Sequence, residues 1–119
     1  MQILVVDDDA IVIKSCTRIL QSQGFEVTAT ANADEVSEMV RSRTFDLMLM
    51  DVKMPKRDGL SLIKEIKTEV PGLPIIVMSG YPTQETVDNM IGSGAAQFIS
   101  KPFRPDELMK VIRQVLHLD

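Results

Sequence analysis

The chain has one cysteine and one histidine in 119 residues and no excess of positive charge. Each shortage removes a class of function. Cys16 alone cannot close an internal disulfide, which fits a reducing compartment and a cytoplasmic location. It has no histidine nearby in sequence and falls on the apolar stripe of a predicted helix. His117 stands isolated near the C-terminus, with no metal-ligand spacing around it. A formal charge of −4 and a pI near 4.9 argue against direct nucleic-acid binding, which wants a basic face. No apolar run approaches the roughly 20 residues that span a bilayer, and the N-terminus lacks a signal-peptide pattern, so no membrane partner is expected. Repeats, low-complexity tracts and linker-like stretches are also lacking. What is present, 45% hydrophobic and 25% charged residues at this length, suits one ordinary globular domain over residues 1–119. The eight methionines lie mostly in apolar segments and read as core filler, not as a copper site.

Short apolar runs alternate with amphipathic stretches five times. The runs are Ile3 to Val6, Phe25 to Thr30, Phe45 to Met50, Ile75 to Met78 and Ala95 to Ile99. Several are nearly continuous in apolar residues, as parallel strands covered on both faces should be. Phe25, Val27 and Ala29 instead alternate with polar positions, which predicts an edge strand with one wetter face. Between the runs, Leu108, Val111, Ile112, Val115 and Leu116 make one helical stripe behind Pro105, Asp106 and Glu107, a favourable first turn. Asn32 with Glu35 resembles a capping box, and Gly24 and Gly94 fall where helix C-terminal glycines belong. Five βα units predict a parallel sheet with right-handed crossovers and helices on both faces. In such sheets the functional crevice lies at the carboxyl ends of the strands.

Those ends carry the chemistry. The first strand runs into Asp7-Asp8-Asp9, the third into Asp51, the fourth into Ser79 and the fifth into Ser100-Lys101-Pro102. Two like charges 4 Å apart repel by about 4 kcal/mol at an effective dielectric of 20. Three such pairs would cost on the order of 12 kcal/mol, comparable with the whole stability of a small domain. Either protons stay on or a cation binds, and Mg²⁺ suits an oxygen ligand set near a phosphate. Lys101 adds a compact positive charge and Ser79 a hydroxyl donor. Each residue also has a plainer explanation. Asp9 reads as a helix N-cap, Asp7 and Asp8 as turn residues, Lys101 as a solvated lysine and Ser79 as an ordinary turn serine. Their weight comes from the set.

The set Val5-Val6-Asp7-Asp8, Asp51 with Met54-Pro55 and Asp58-Gly59, Ser79-Gly80 and Lys101-Pro102-Phe103 resembles the receiver domains of bacterial two-component response regulators. The resemblance covers essentially the whole chain. It implies a five-stranded parallel, flavodoxin-like (βα)5 fold with strand order 2-1-3-4-5. It further implies that Asp51 accepts a phosphoryl group from the phosphohistidine of a sensor histidine kinase or phosphotransfer protein. Asp8, Asp51 and the Lys53 carbonyl would ligate Mg²⁺, with Asp7 acting mainly through water. Lys101 would contact the phosphoryl group, its bond to Pro102 being cis. Ser79 and Phe98 would be the switch pair. The family's output face, formed by the fourth helix, fifth strand and fifth helix, would control an output domain or partner, and a phosphorylation-dependent homodimer is among the expected assemblies. Such a domain is no enzyme beyond self-phosphorylation and autodephosphorylation.

Some positions tune this picture. Lys53 and Tyr81, two residues after Asp51 and Ser79, stand where the family sets the phosphate's lifetime; two solvated side chains are the plainer account. Phe98 lacks the hydroxyl of the commoner tyrosine. Lys56 and Arg57 make the loop after Asp51 basic. Three other functions compete. A haloacid-dehalogenase-type hydrolase needs an acid two residues after its nucleophile, where this chain has Lys53. A flavin carrier needs a Ser/Thr/Gly-rich loop where this chain has Asp7-Asp8-Asp9. A degenerate receiver, acting as an interaction module without phosphate, requires a defective pocket, yet every pocket position is suitably filled. The chain ends soon after its fifth predicted helix, which fits a stand-alone regulator or a segment of a longer one.

Overall fold

The near-continuous apolar runs become strands buried on both faces. In the computed structural model, which describes residues 1–54, 57–80 and 82–118, Ile3, Leu4, Val5 and Val6 have no exposed surface. They belong to β1 (Gln2–Val6), followed by α1 (Ala10–Ser22) and β2 (Glu26–Thr30). A 3-10 turn (Ala33–Glu35), α2 (Val36–Ser42) and β3 (Leu47–Asp51) come next. A short hairpin of β4 (Lys53–Met54) and β5 (Arg57–Asp58) then leads into α3 (Gly59–Glu69). β6 (Ile75–Gly80), α4 (Gln84–Gly92), β7 (Gln97–Lys101) and α5 (Pro105–Leu116) complete the chain. The five long strands pair in parallel in the order β2-β1-β3-β6-β7. This is the predicted 2-1-3-4-5 order, with the hairpin strands outside the sheet. β2 lies at the edge, as predicted, but the alternation fails at its end: Val27 is half-buried, whereas Ala29 is exposed and Thr30 is buried, where its hydroxyl bonds Asn32 and Glu35.

Side chains alternate across the sheet and feed two cores. Ile3, Val5, Leu49, Ile76 and Met78 pack with Cys16 and Leu20 of α1 and with Leu108 and Ile112 of α5. Leu4, Val6, Met50, Ile75 and Val77 pack with α2, α3 and α4 through Val36, Val40, Leu62, Ile63, Ile66 and Met90. Six methionines are buried in these cores, and His117 is exposed. No helix among the described residues is long and apolar enough to cross a membrane.

Local expectations fare unevenly. Gly24 and Gly94 both take positive φ, and the next amide in each case reaches back to the helix, Phe25 N to Leu20 O and Ala95 N to Met90 O. That second bond keeps Ala95 in the helix terminus, so β7 starts at Gln97 rather than Ala95 and continues through Lys101. Asn32 caps the 3-10 turn by accepting from Asp34 N, but the capping box does not close. Thr30 Oγ1 accepts from Asn32 N and donates to Glu35, standing between the two partners of one capping-box bond, while Asn32 Oδ1 takes Asp34 N in place of Glu35 N. Pro105 opens α5 and Glu107 accepts from Arg104 N, as expected of that first turn. The hairpin was not anticipated, since strands of two residues leave no periodic signal. Pro55, Lys56 and Tyr81, each named above, lie outside the described residues.

Candidate functional site

Parallel register carries distant residues to one edge. Val6 pairs with Met50, Asp51 with Met78, Ser79 with Ser100 and Gly80 with Lys101, so the four strand ends finish together. Asp7, one residue past β1, is fully buried, and Asp51, the last residue of β3, is 7% exposed. Asp8, next to Asp7, faces solvent. One carboxylate oxygen from each of Asp7, Asp8 and Asp51 lies within 4.8 Å of the others. Asp9 turns away: its carboxylate accepts from Ile11 N at 2.9 Å and caps α1, while its own amide donates to Asp7 Oδ1 at 2.9 Å.

Lys101 crosses the sheet edge to this cluster. Its Nζ donates to Asp7 Oδ2 at 2.7 Å and to Asp51 Oδ2 at 3.0 Å. Burial by itself would lower the Lys101 pKa, but the bonds to Asp7 and Asp51 outweigh it and hold the ammonium above its ordinary value. Asp7 moves up as well, because burial outweighs the opposing bonds from Lys101 and the Asp9 amide. The Lys101–Pro102 peptide is cis, as the resemblance implies. Burial, with Asp7 nearby, pushes the Cys16 thiol up to about 11, so it stays protonated and unreactive at neutral pH.

The remaining named residues surround the cluster. Lys53 N donates to Asp51 Oδ1 at 2.9 Å, which orients the carboxylate. Lys53 Nζ spans the pocket mouth to the Gly80 carbonyl at 3.3 Å. Ser79 is buried, and its Oγ donates to the same Gly80 carbonyl at 3.3 Å. Phe98 is half-buried and packs against the α3–α4 side of the core. Sequence reasoning missed two features here. The Gly80 carbonyl as a shared acceptor has no sequence signal, being backbone. A groove of about 380 Å³ beside the pocket, lined by Ile11, Val12, Cys16, Lys101, Pro102 and Phe103, left a faint one in apolar Ile11 and Phe103 just past strand ends.

Three carboxylates and one ammonium leave the cluster with a formal charge of −2, all donors being hard oxygens. That set fits a divalent hard cation such as Mg²⁺, which binds through one or two carboxylates and keeps waters.

The family model for the response regulator receiver domain matches residues 3–113. The chain is therefore a response regulator receiver domain. Among curated relatives it is 36% identical over 119 residues to transcriptional regulatory protein ZraR of Klebsiella oxytoca and 35% identical to ZraR of Escherichia coli K12. Each match covers 98% of this chain but 26% of the relative, so the chain spans about a quarter of their length. Among solved structures, the receiver domain of NtrX from Brucella abortus superposes with a TM-score of 0.91 at 34% identity, covering 98% of this chain and 99% of that one. A CheY-like receiver domain protein from Methanospirillum hungatei gives 0.92 at 33%, covering 98% and 93%. Membership fits a phosphorylation-dependent two-component switch, and receiver domains bind Mg²⁺ at an acidic pocket.

Proposed function

We propose that residues 1–119 form a single receiver domain in which Asp51 takes a phosphoryl group from a histidine kinase or phosphotransfer protein. The observation that carries this reading is the Lys101 ammonium bridging buried Asp7 and Asp51 in an all-oxygen cluster. An oxygen of Asp51 attacks phosphorus, the N–P bond of the phosphohistidine breaks, and its electron pair returns to the imidazole. Asp8, Asp51 and the Lys53 carbonyl would hold Mg²⁺, with Asp7 behind them, and the ion would neutralise charge on the phosphoryl oxygens. Lys101, held cationic by its two carboxylates, exchanges its Asp51 bond for a phosphoryl oxygen. The Lys53 amide keeps Asp51 oriented during attack. Ser79 then leaves the Gly80 carbonyl for the new oxygens, Phe98 follows, and the α4–β7–α5 face changes its population for an output domain or partner. Hydrolysis by the pocket itself resets the switch. The domain does no other chemistry, touches no nucleic acid or membrane directly, works in the cytoplasm, and pairs with a second copy when phosphorylated. A degenerate receiver is disfavoured because each pocket group is present and Asp7, Asp51, Lys53, Ser79 and Lys101 are all hydrogen-bonded in place.

Incubation with acetyl phosphate and Mg²⁺ is expected to add the mass of one phosphoryl group to the intact protein, and none to Asp51→Asn. An unmodified wild type would overturn the proposal.

Lys53 bears on how long that phosphate lasts. Its ammonium bridges to Gly80 across the mouth, where it obstructs water. Lys53→Ala, and Tyr81→Ala next to Gly80 in sequence, are expected to speed dephosphorylation several-fold. Intact-mass time courses check this, and unchanged rates would remove both residues from the account.

A further inference from the structure

The β4–β5 hairpin begins two residues beyond Asp51, yet it cannot hold its own shape. Two antiparallel strands of two residues each, paired Lys53 with Asp58 and Met54 with Arg57, are far below the size that is stable alone. Its inner strand is fixed by Met54, which is buried in the α2–α4 core. Its outer strand is fixed by Arg57, whose guanidinium pairs with Glu65 of α3. The other oxygen of the Glu65 carboxylate accepts from Ser37 Oγ of α2 at 2.8 Å, and Ser37 is buried. Glu65 thus joins three elements through one carboxylate: α2, α3 and the hairpin.

A second ion pair shows what this one does differently. Arg41 and Glu69 also connect α2 to α3, at 2.9 Å, but Arg41 is more than half exposed and, among the described residues, neither side chain is bonded to the hairpin. Both glutamates tie α3 to α2, Glu69 through Arg41 and Glu65 through Ser37, and only Glu65 extends the tie towards Asp51. Through Arg57 and its cross-strand partner Met54, Glu65 restrains the segment that carries the Lys53 amide, bonded to Asp51, and the Lys53 carbonyl.

We propose that Glu65 is a positioning residue for the divalent-cation centre, setting the placement of the Lys53 carbonyl through Arg57 while Ser37 fixes the carboxylate. The proposal rests on the site reading above, in which that carbonyl is a ligand. Glu65→Gln leaves the Ser37 bond available and removes the charge that holds Arg57, so the hairpin loosens without a void.

The test is Mg²⁺ binding to the unphosphorylated domain by calorimetry, with amide hydrogen exchange at Lys53, Arg57 and Asp58. Glu65→Gln and Arg57→Gln are each expected to weaken Mg²⁺ about tenfold, at the lower end of what outer supports of metal ligands cost. Both are expected to speed exchange at those amides. Glu69→Gln, removing the Arg41 pair that ties α3 to α2, is expected to change neither readout, whatever it does to the melting temperature. The exchanged pair, Arg57→Glu with Glu65→Arg, is expected to recover part of the lost affinity. Wild-type affinity and exchange in Glu65→Gln, or equal weakening by Glu69→Gln, would overturn the proposal. A wild type that binds no Mg²⁺ would instead overturn the site reading, and this proposal with it.

Discussion

Lys101→Ala is expected to lower phosphorylation of Asp51 by about 100-fold to 1000-fold, the usual cost of removing one preorganised donor from a developing anion. Its effect on the fold should be nearly as large. Asp7 is fully buried, and Lys101 is its cationic partner at 2.7 Å. Breaking a buried pair by removing one member costs about 3–5 kcal/mol when the remaining charge cannot adapt. Asp7 can adapt by taking a proton, and that makes the loss depend on pH. In wild type stripped of divalent cations, the Lys101 ammonium lies above 10.5 in the fold, so its contribution is complete below that pH and fades as pH rises through the folded value. The Asp7 carboxyl lies above 3.8, so its neutral form is favoured and stability declines as pH rises from 3.8 through its folded value. Removing Lys101 deletes the largest influence holding Asp7 down, and the window of decline widens towards neutrality. Thermal melts of Lys101→Ala with chelator should therefore show a deficit at neutral pH that shrinks on acidification and on adding Mg²⁺. Equal melting of variant and wild type across this range would mean that Asp7 is not held by Lys101.

Gly59→Ala is expected to be the most damaging of the glycine-to-alanine changes. A Cβ at Gly59 would stand 2.6 Å from both the Cα and the carbonyl oxygen of Val52, and 2.9 Å from its Cβ. Two of those atoms are backbone, so no rotamer change relieves the contact. Either α3, which starts at Gly59 under its Asp58 cap, moves outward, or residue 52 does. Overpacking of this kind typically costs about 1–3 kcal/mol. For a domain of this size that is roughly 4 °C in melting temperature per kcal/mol. Residue 52 separates Asp51 from Lys53, so its displacement also disturbs the Lys53 amide that orients Asp51. Weaker Mg²⁺ binding and slower phosphorylation should accompany the lower melting temperature. Gly72→Ala is the matched control, since a Cβ there meets nothing within 4 Å. Gly59→Ala with unchanged melting and unchanged Mg²⁺ affinity would show that the loop has slack.

The hairpin explains why both the Gly59 contact and the Glu65 tie matter. Metal and phosphate chemistry tolerates little misplacement of ligands. After the Val52 amide, which donates to Met78 O of β6 at 3.4 Å, the segment leaves the sheet and cannot rely on strand pairing for rigidity. Met54 in the core, Gly59 against Val52 and Arg57 on Glu65 supply that rigidity from three sides.

Apolar runs buried on both faces, the edge strand and the acids and lysine at strand ends were legible in sequence because each depends on local pattern. Burial on two faces demands continuous apolar residues, and strands that run parallel must end at one edge, so Asp7, Asp51, Ser79 and Lys101 could be brought together by strand counting alone. Family membership followed from the same residues. Tertiary structure decided what pattern does not encode. Asp9 caps α1 through Ile11 N, as its place before the apolar helix predicts, whereas the full burial of Asp7 beside exposed Asp8 was set by packing at the end of β1. Glu35 loses its capping bond because Thr30, across the turn, supplies a nearer hydroxyl. Ser79 and Lys53 share the Gly80 carbonyl, and a backbone acceptor has no residue letter. Arg57 and Ser37 meet on Glu65 because α2 and α3 pack side by side, 28 residues separating Ser37 from Glu65. Sequence thus determined which groups reach the site, through periodicity and strand ends; only packing decided which oxygen each donor faces, because that depends on contacts between segments distant in the chain.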